Sequence, residues 1–449
     1  MAVYVCRECV TERYLQDALD FQVEAQCNFC GRELDVVELD ELVNHCEAAL
    51  HASFRYVHQP DSVLIYDREP FGEHLHQVLD KMLKCSDDLV LAIAEARPEA
   101  WSDWDDDDPF FNEGISPTSE MSSAWAEMER SLRDEARFVN PTAARVLEEV
   151  FGGIEQLQIE GSASILTIGP GLSTDRFKRA RVFSNDDAVA DALSHPERSL
   201  GAPPPGVGGA GRMNARGVSV FYGATNVQTA IAEVRPPVGS LVVSATFRVT
   251  RELRLLNLGA LNDICPNQAL SYFQPERMEQ GQRCAFLAAL REQLLLPVMP
   301  EMVDQGYLIT QAIADFLSTH PKLNLDGILF PSIQVSQHGD APAGHNVILF
   351  TKASGMHRCE EAYAAGLVSL WDSTEDGTFF TPEFWPGKDQ PDGAVDGLNP
   401  GIQPKRYPPA IELIRSEISI HQVKGVLFDT KDTEVDYHGD SARCHLKGF

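Results

Sequence analysis

The sequence predicts an α+β protein in which a cysteine-clasped segment and a helical stretch precede a region of mixed strands and helices. Three observations carry that expectation. Two C-x-x-C pairs fall within the first 44 residues. Apolar residues recur at i, i+3 and i+4 through residues 45–156. From about Leu157, runs rich in β-branched residues alternate with helical ones up to about Ala353. The expected division is therefore 1–44, 45–156, 157–353 and a less regular C-terminal extension, 354–449. A chain of 449 residues accommodates it at about 150 residues per domain.

The cysteine segment contains Cys6-Arg-Glu-Cys9 and Cys27-Asn-Phe-Cys30-Gly31, with 17 residues between the pairs. This is four-thiolate zinc spacing. Each C-x-x-C turns tightly enough to point two sulfurs at one ion, and four thiolates close a tetrahedron. Cys6, Cys9, Cys27 and Cys30 are thus the expected ligands of a structural zinc, with folding coupled to the metal.

The helical stretch offers amphipathic segments at Glu41 to Phe54, Glu73 to Cys85, Asp87 to Glu95, Met121 to Arg137 and Thr142 to Gly152. Pro141-Thr142 reads as a helix start. The acidic run Trp101 to Pro109 reads as a solvated turn. In the mixed region the expected strands are Val218 to Tyr222, Ser240 to Phe247, Gly327 to Phe330 and Asn346 to Phe350. The expected helices are Asn226 to Val234 and Leu308 to Leu317. Ala202 to Arg212 is a Pro/Gly loop, and Trp385 to Pro409 is another. Two short strands, Ile418 to His421 and Val426 to Asp429, follow.

Charge narrows the function. With 37 Lys+Arg against 67 Asp+Glu the formal net charge is −30. That argues against general nucleic-acid binding, which needs clustered cations, and against an anionic membrane surface. No stretch reaches the roughly 18 apolar residues of a membrane span, and the N-terminus lacks a signal-peptide pattern, so a cytoplasmic location is expected. Within this acidic chain Arg179, Arg181, Arg212 and Arg216 form a local basic set near glycine-rich loops. A guanidinium fork matches phosphate oxygens. Pairing with surface carboxylates is the other way to use these arginines.

Six phrases then occur in order: FKRARV at Phe177, GRMNARG at Gly211, FYGA at Phe221, TAIAEVR at Thr229, DGILFPS at Asp326 and GHNVILF at Gly344. In this the chain resembles the RES-domain family over about residues 176–352. The cysteine segment and the helices before it resemble the HEPN-like region fused to some RES domains. Residues 45–156 hold no convincing example of the R-x4–6-H motif of nuclease-type HEPN domains, so RNase activity is not expected there.

The resemblance implies an ADP-ribosyltransferase-like fold and an NAD-consuming toxin that splits the nicotinamide–ribose bond by hydrolysis or phosphorolysis. The setting would be a toxin–antitoxin pair or phage defence. Protein ADP-ribosylation is one alternative and a non-catalytic nucleotide sensor another. The family's positions fall on Arg179, Arg212, Tyr222, Glu233 and Ser332. Glu233 would stabilise an oxocarbenium-like sugar, Arg179 and Arg212 would hold the pyrophosphate, and Tyr222 would stack on nicotinamide. Ser332 would bind the carboxamide or a phosphate. Catalysis would rest on Glu233, Arg212 and Tyr222, and substrate binding on Arg179, Arg212, Tyr222 and Ser332. Met213 departs from the aromatic residue usual after the second arginine and bears on the pocket wall. The implied partners are NAD and an Xre-like antitoxin or other inhibitor protein, and a homo-oligomer is compatible with this. His338 and His345 read as solvated loop histidines, and no second metal site is expected at His421, His438 and His445 in the C-terminal extension. Cys265, Cys284, Cys359 and Cys444 read as free thiols.

Overall fold

The computed structural model describes residues 2–57, 72–97, 110–114, 119–159, 162–295, 303–332, 344–356, 366–385, 407–426, 430 and 433. Trp101 to Pro109, His338, Cys359, His438, Cys444 and His445 lie outside them. So do most of the loop expected at Trp385 to Pro409 and residues 427–429 of the last expected strand.

The chain opens with a three-stranded antiparallel sheet in which Glu33–Glu38 lies between Tyr4–Cys6 and Val23–Gln26. The helices Leu39–Ser53, Leu75–Leu83 and Asp87–Ala96 follow. A small sheet of Phe54–Val57, Phe110–Glu113 and Glu73–His74 interrupts them, so the start of the expected 73–85 helix is a strand. The helices Ser119–Asp134 and Pro141–Phe151 come next. The second begins where Pro141 suggests, because the Asn140 side chain accepts the Ala143 amide at 2.9 Å and proline costs nothing at the first helical position.

Packing groups these pieces differently from the four expected stretches. Val5, Leu15, Leu42, Leu79, Leu89 and Phe111 share one core, which joins the cysteine segment to the first helices. Trp125, Met128, Val146 and Phe151 instead share a core with Leu256, Leu287, Leu317 and Ile348 of the mixed region. The last two helices of 45–156 are therefore buried against the region that follows. Their apolar stripes pack on the helices Pro275–Leu295 and Val303–Thr319.

The mixed region is built on an eight-stranded sheet. Its order is Ile411–Gln422, Leu241–Val249, Arg176–Phe183, Phe221–Ala224, His345–Leu349, Gly327–Pro331, Leu253–Asn257 and Ile165–Ile168. All neighbours run antiparallel except Leu253–Asn257 beside Gly327–Pro331. Leu241–Val249 is buried on both faces over most of its length. It pairs from Leu241 to Arg248 with Arg176–Phe183 on one side and along its whole length with Ile411–Gln422 on the other. Arg176–Phe183 and Phe221–Ala224, by contrast, meet at the single pair Ala224↔Lys178. The sheet is thus three strands and five strands hinged at one residue pair. The C-terminal extension supplies the edge strand of the three-stranded part. Among the described residues no helix is long and apolar enough to cross a membrane.

Candidate active site

A cavity of about 520 Å³ occupies the split in the sheet. Lys178, Arg179 and Ala180 line it from one strand and Tyr222, Gly223 and Ala224 from the next. Arg212 reaches it from the Pro/Gly loop, and Glu233 and Arg235 from the end of a helix. Four of the five expected positions, Arg179, Arg212, Tyr222 and Glu233, therefore converge on one cavity. The fifth, Ser332, follows the lining residue Pro331 and reaches the carboxylate of Glu233.

Glu233 is delivered by the helix Val227–Glu233, which starts at Asn226, whose side chain accepts the Thr229 amide at 2.8 Å. Ala230 packs with Ala180, Ala224 and Val242 beneath it. Two residues after Glu233 the chain takes φ +45° at Arg235. That left-handed conformation is rare for a residue with a side chain, and the prolines Pro236 and Pro237 prevent the helix from continuing. Backbone of this kind collects at functional sites. Here it lets Glu233 and Arg235 face the same cavity. The Glu233 Oε1 accepts hydrogen bonds from Asn346 Nδ2 at 2.7 Å and Ser332 Oγ at 3.1 Å. Both donors come from the far side of the split, so the carboxylate is oriented across it.

Arg179 lies over the Phe221 ring, 5.1 Å from its centroid. Its Nη1 is buried with no hydrogen-bond partner. Burial, and then the neighbouring Arg181 charge, pull this guanidinium well below its usual range. The alternative use of the arginines as surface ion pairs does not hold here. No ion pair between described residues involves Arg179, Arg181 or Arg216. Arg181 donates to the Gly201 carbonyl at 3.2 Å. Arg212 Nη1 donates to the Leu294 carbonyl at 3.0 Å, and its own carbonyl accepts from Thr310 Oγ1.

Tyr222 is clamped at its hydroxyl. It donates to Asn214 Oδ1 at 2.7 Å and accepts from the Met213 amide at 3.2 Å. Burial raises its phenol to about 12, so the ring stays neutral. Gly211 is needed for this approach, because a Cβ there would stand 2.5 Å from the Tyr222 hydroxyl. The Met213 side chain is buried in the main core and does not line the cavity, so the departure at this position leaves the cavity wall to other residues, and only the Met213 amide reaches Tyr222.

Asn346, Lys178, Arg235 and Tyr307 also face the cavity and were not expected there. Asn346 had a signal: an amide near the start of a strand that continues Val-Ile-Leu must find buried partners. Its Oδ1 is buried and unpartnered, so Asn346 offers an acceptor as well as holding Glu233.

The four N-terminal cysteines lie far from this cavity in sequence and converge among themselves. All four sulfurs fall within 4.8 Å of one another. Cys6 Sγ and Cys30 Sγ are 3.7 Å apart, and Cys9 Sγ and Cys27 Sγ 3.8 Å. A tetrahedron with metal–sulfur bonds near 2.3 Å has edges of about 3.8 Å. The donor set fits a metal ion of that geometry.

The fold and cavity define an enzyme-type α+β protein whose pocket pairs an oriented carboxylate with an unsatisfied guanidinium. The RES domain family model matches residues 177–372 and that of HEPN/RES N-terminal domain 1 matches residues 21–145. The chain thus carries a RES domain, of a family whose domains act on NAD, behind a HEPN/RES N-terminal domain. No curated protein and no solved structure matches it.

Proposed function

We propose that the protein is an NAD-degrading enzyme that cleaves the nicotinamide–ribose bond at the split in the sheet. The observation that carries this is the pairing of an oriented Glu233 carboxylate with the partnerless Nη1 of Arg179 in one cavity. Nicotinamide leaves as a neutral base, taking the bonding pair, so no general acid is required. The ribose carbon becomes cationic, and Glu233 stabilises that charge. Asn346 and Ser332 hold the carboxylate, so little reorganisation is needed as the charge develops. Arg179 and Arg212 bind the pyrophosphate, and the Tyr222 ring packs on nicotinamide. With water as acceptor, NAD⁺ and H₂O give ADP-ribose, nicotinamide and H⁺. With phosphate, ADP-ribose 1″-phosphate forms instead.

The test is release of nicotinamide by purified protein, with and without phosphate. Glu233→Gln keeps the hydrogen-bond geometry and removes the charge, so turnover should fall about 10²–10³-fold. An unchanged rate would overturn the assignment. Radiolabel appearing on a protein rather than in free ADP-ribose would identify a transferase.

We further propose that the N-terminal cysteines hold zinc as a structural ion. A chelator should then melt the three-stranded sheet of residues 4–38, read by loss of ordered amide resonances there, while the NAD cavity keeps its activity. A sheet that survives metal-free protein would count against zinc. A cytoplasmic toxin restrained by a small inhibitor protein seated in the cavity fits both the thiolate site and the substrate.

A further inference from the structure

A second cavity, of about 370 Å³, opens on the three-stranded part of the sheet. Lys178, Ser244, Ser416, Glu417, Ser419 and His421 line it. Four of these, Ser416, Glu417, Ser419 and His421, come from the strand Ile411–Gln422, which lies beyond the RES match at 177–372. The cavity touches the first turn of the Val227–Glu233 helix, whereas Glu233 is at its end. Six residue steps at 1.5 Å separate the two ends by about 9 Å.

The chemistry of this face is unusual for a sheet interior. Ser244 and Thr246 are buried in a strand whose other buried residues are Val, Ala and Phe. The register shifts between Ala245 and Thr246, where Ile418 and Ile414 are the successive partners. The three intervening residues bulge and bring Ser416 and Glu417 to the cavity. Lys178 Nζ is 3.3 Å from Glu417 Oε2 and also donates to Thr246, and Arg176 Nη1 is 2.9 Å from Glu417 Oε1. Asp175 lies 3.8 Å from Arg176 Nε and shares that cation, so Lys178 is the cation that faces the cavity beside Glu417. Ser416 and Ser419 are exposed, and no hydrogen bond between described residues engages their hydroxyls. His421 Nε2 pairs with Ser244 Oγ at 2.8 Å, and burial lowers the imidazole below its usual range. The Thr246 hydroxyl and then Lys178 keep Glu417 below the usual carboxylate range.

We propose that this cavity binds a phosphoryl oxyanion that retains a proton, as inorganic phosphate or a phosphate monoester. Lys178 and the two serine hydroxyls supply donors to the ionised oxygens. Glu417 accepts the hydrogen bond of the remaining P–OH. The same carboxylate repels an anion with no proton to offer, so sulfate is rejected.

Calorimetric titration of the full chain at fixed ionic strength tests this with inorganic phosphate, adenosine monophosphate and sulfate. Phosphate or the monoester should bind, and whichever binds more tightly identifies the source. Sulfate should bind about tenfold more weakly or worse. Ser416→Ala with Ser419→Ala, both at exposed positions, should weaken phosphate about tenfold. Glu417→Gln should close the gap between phosphate and sulfate. Equal affinity for phosphate and sulfate in the unaltered protein overturns the proposal, as does absence of binding by phosphate and monoester alike. Phosphate binding that survives the double serine change also overturns it, by assigning the ion to the arginine-lined cavity. These readouts are of binding alone, so their failure leaves the NAD reading standing.

Discussion

Arg277 and Arg179 both hold guanidinium nitrogens out of water, and the protein meets them differently. Arg277, 2% exposed, donates from Nη1 to the carbonyls of Asn267 and Leu270, each at 3.2 Å, and from Nη2 to Glu113 at 3.0 Å. It stacks over Tyr272 at 4.0 Å, and the Tyr272 hydroxyl also binds Glu113. Arg179 has an aromatic face at 5.1 Å and a buried Nη1 with nothing to bond. A buried cation is tolerable when paired and hydrogen-bonded. Arg277 meets that condition inside the folded chain and joins the helix Pro275–Leu295 to the N-terminal half. Arg179 does not meet it, and an anionic ligand would supply what is missing. The same side chain in two settings thus separates structure from site.

The largest effect should come from Arg277→Leu. Glu113 is exposed and keeps Lys81 and Tyr272, but the Asn267 and Leu270 carbonyls lose their donor, at about 1–3 kcal/mol each, so stability read by a denaturant melt should fall by about 2–6 kcal/mol. A melt matching the unaltered protein would dissolve the contrast. Arg179→Leu should do the reverse. Stability should hold or rise, while NAD affinity, measured in the Glu233→Gln background, falls by about 1.5–3 kcal/mol, ten- to a hundredfold. A large stability loss with unchanged affinity would make Arg179 structural too. The smallest effect sharpens the site itself. Asn346→Asp sets a second carboxylate beside Glu233 at the position of a 2.7 Å hydrogen bond. Like charges raise the pKa of the pair, so the ionised form is reached only at higher pH. The acid limb of the pH–rate profile should move up. A profile that stays in place would show that Asn346 does not position Glu233.

Much of this was legible along the chain. The paired C-x-x-C spacing converges as four sulfurs, because tight turns at fixed spacing are local geometry. The helix ending at Glu233 was legible from its apolar pattern, and four motif positions meet in one cavity. The helix Pro275–Leu295 was not legible. Its apolar residues, from Cys284 to Leu295, fill only its later turns, and its first turns bury Arg277 and Gly281 instead. Hydrophobic periodicity cannot report a helix that docks through a guanidinium. The strand Arg176–Phe183 was equally hidden as a strand, since its alternation carries Lys178 and Arg179 where a central strand usually has apolar side chains.

Ser332 shows a role that spacing could not assign. The sequence suggested a ligand contact, and the folded chain adds a hydrogen bond from its hydroxyl to Glu233. Residues 411–422 make the same point at larger scale. Read alone they are a short strand in an extension, but in the sheet they close the three-stranded part and wall a second cavity.

The sequence by itself determined the four-cysteine cluster, the mixed fold class, and the residue types that line the cavity, because each rests on local spacing or side-chain identity. Only the tertiary structure decided which arginine is satisfied and which is left wanting a partner, where the sheet splits, and which donors hold Glu233. Those depend on burial and on contacts between residues about a hundred positions apart, where solvation and pairing set the energy of a charge.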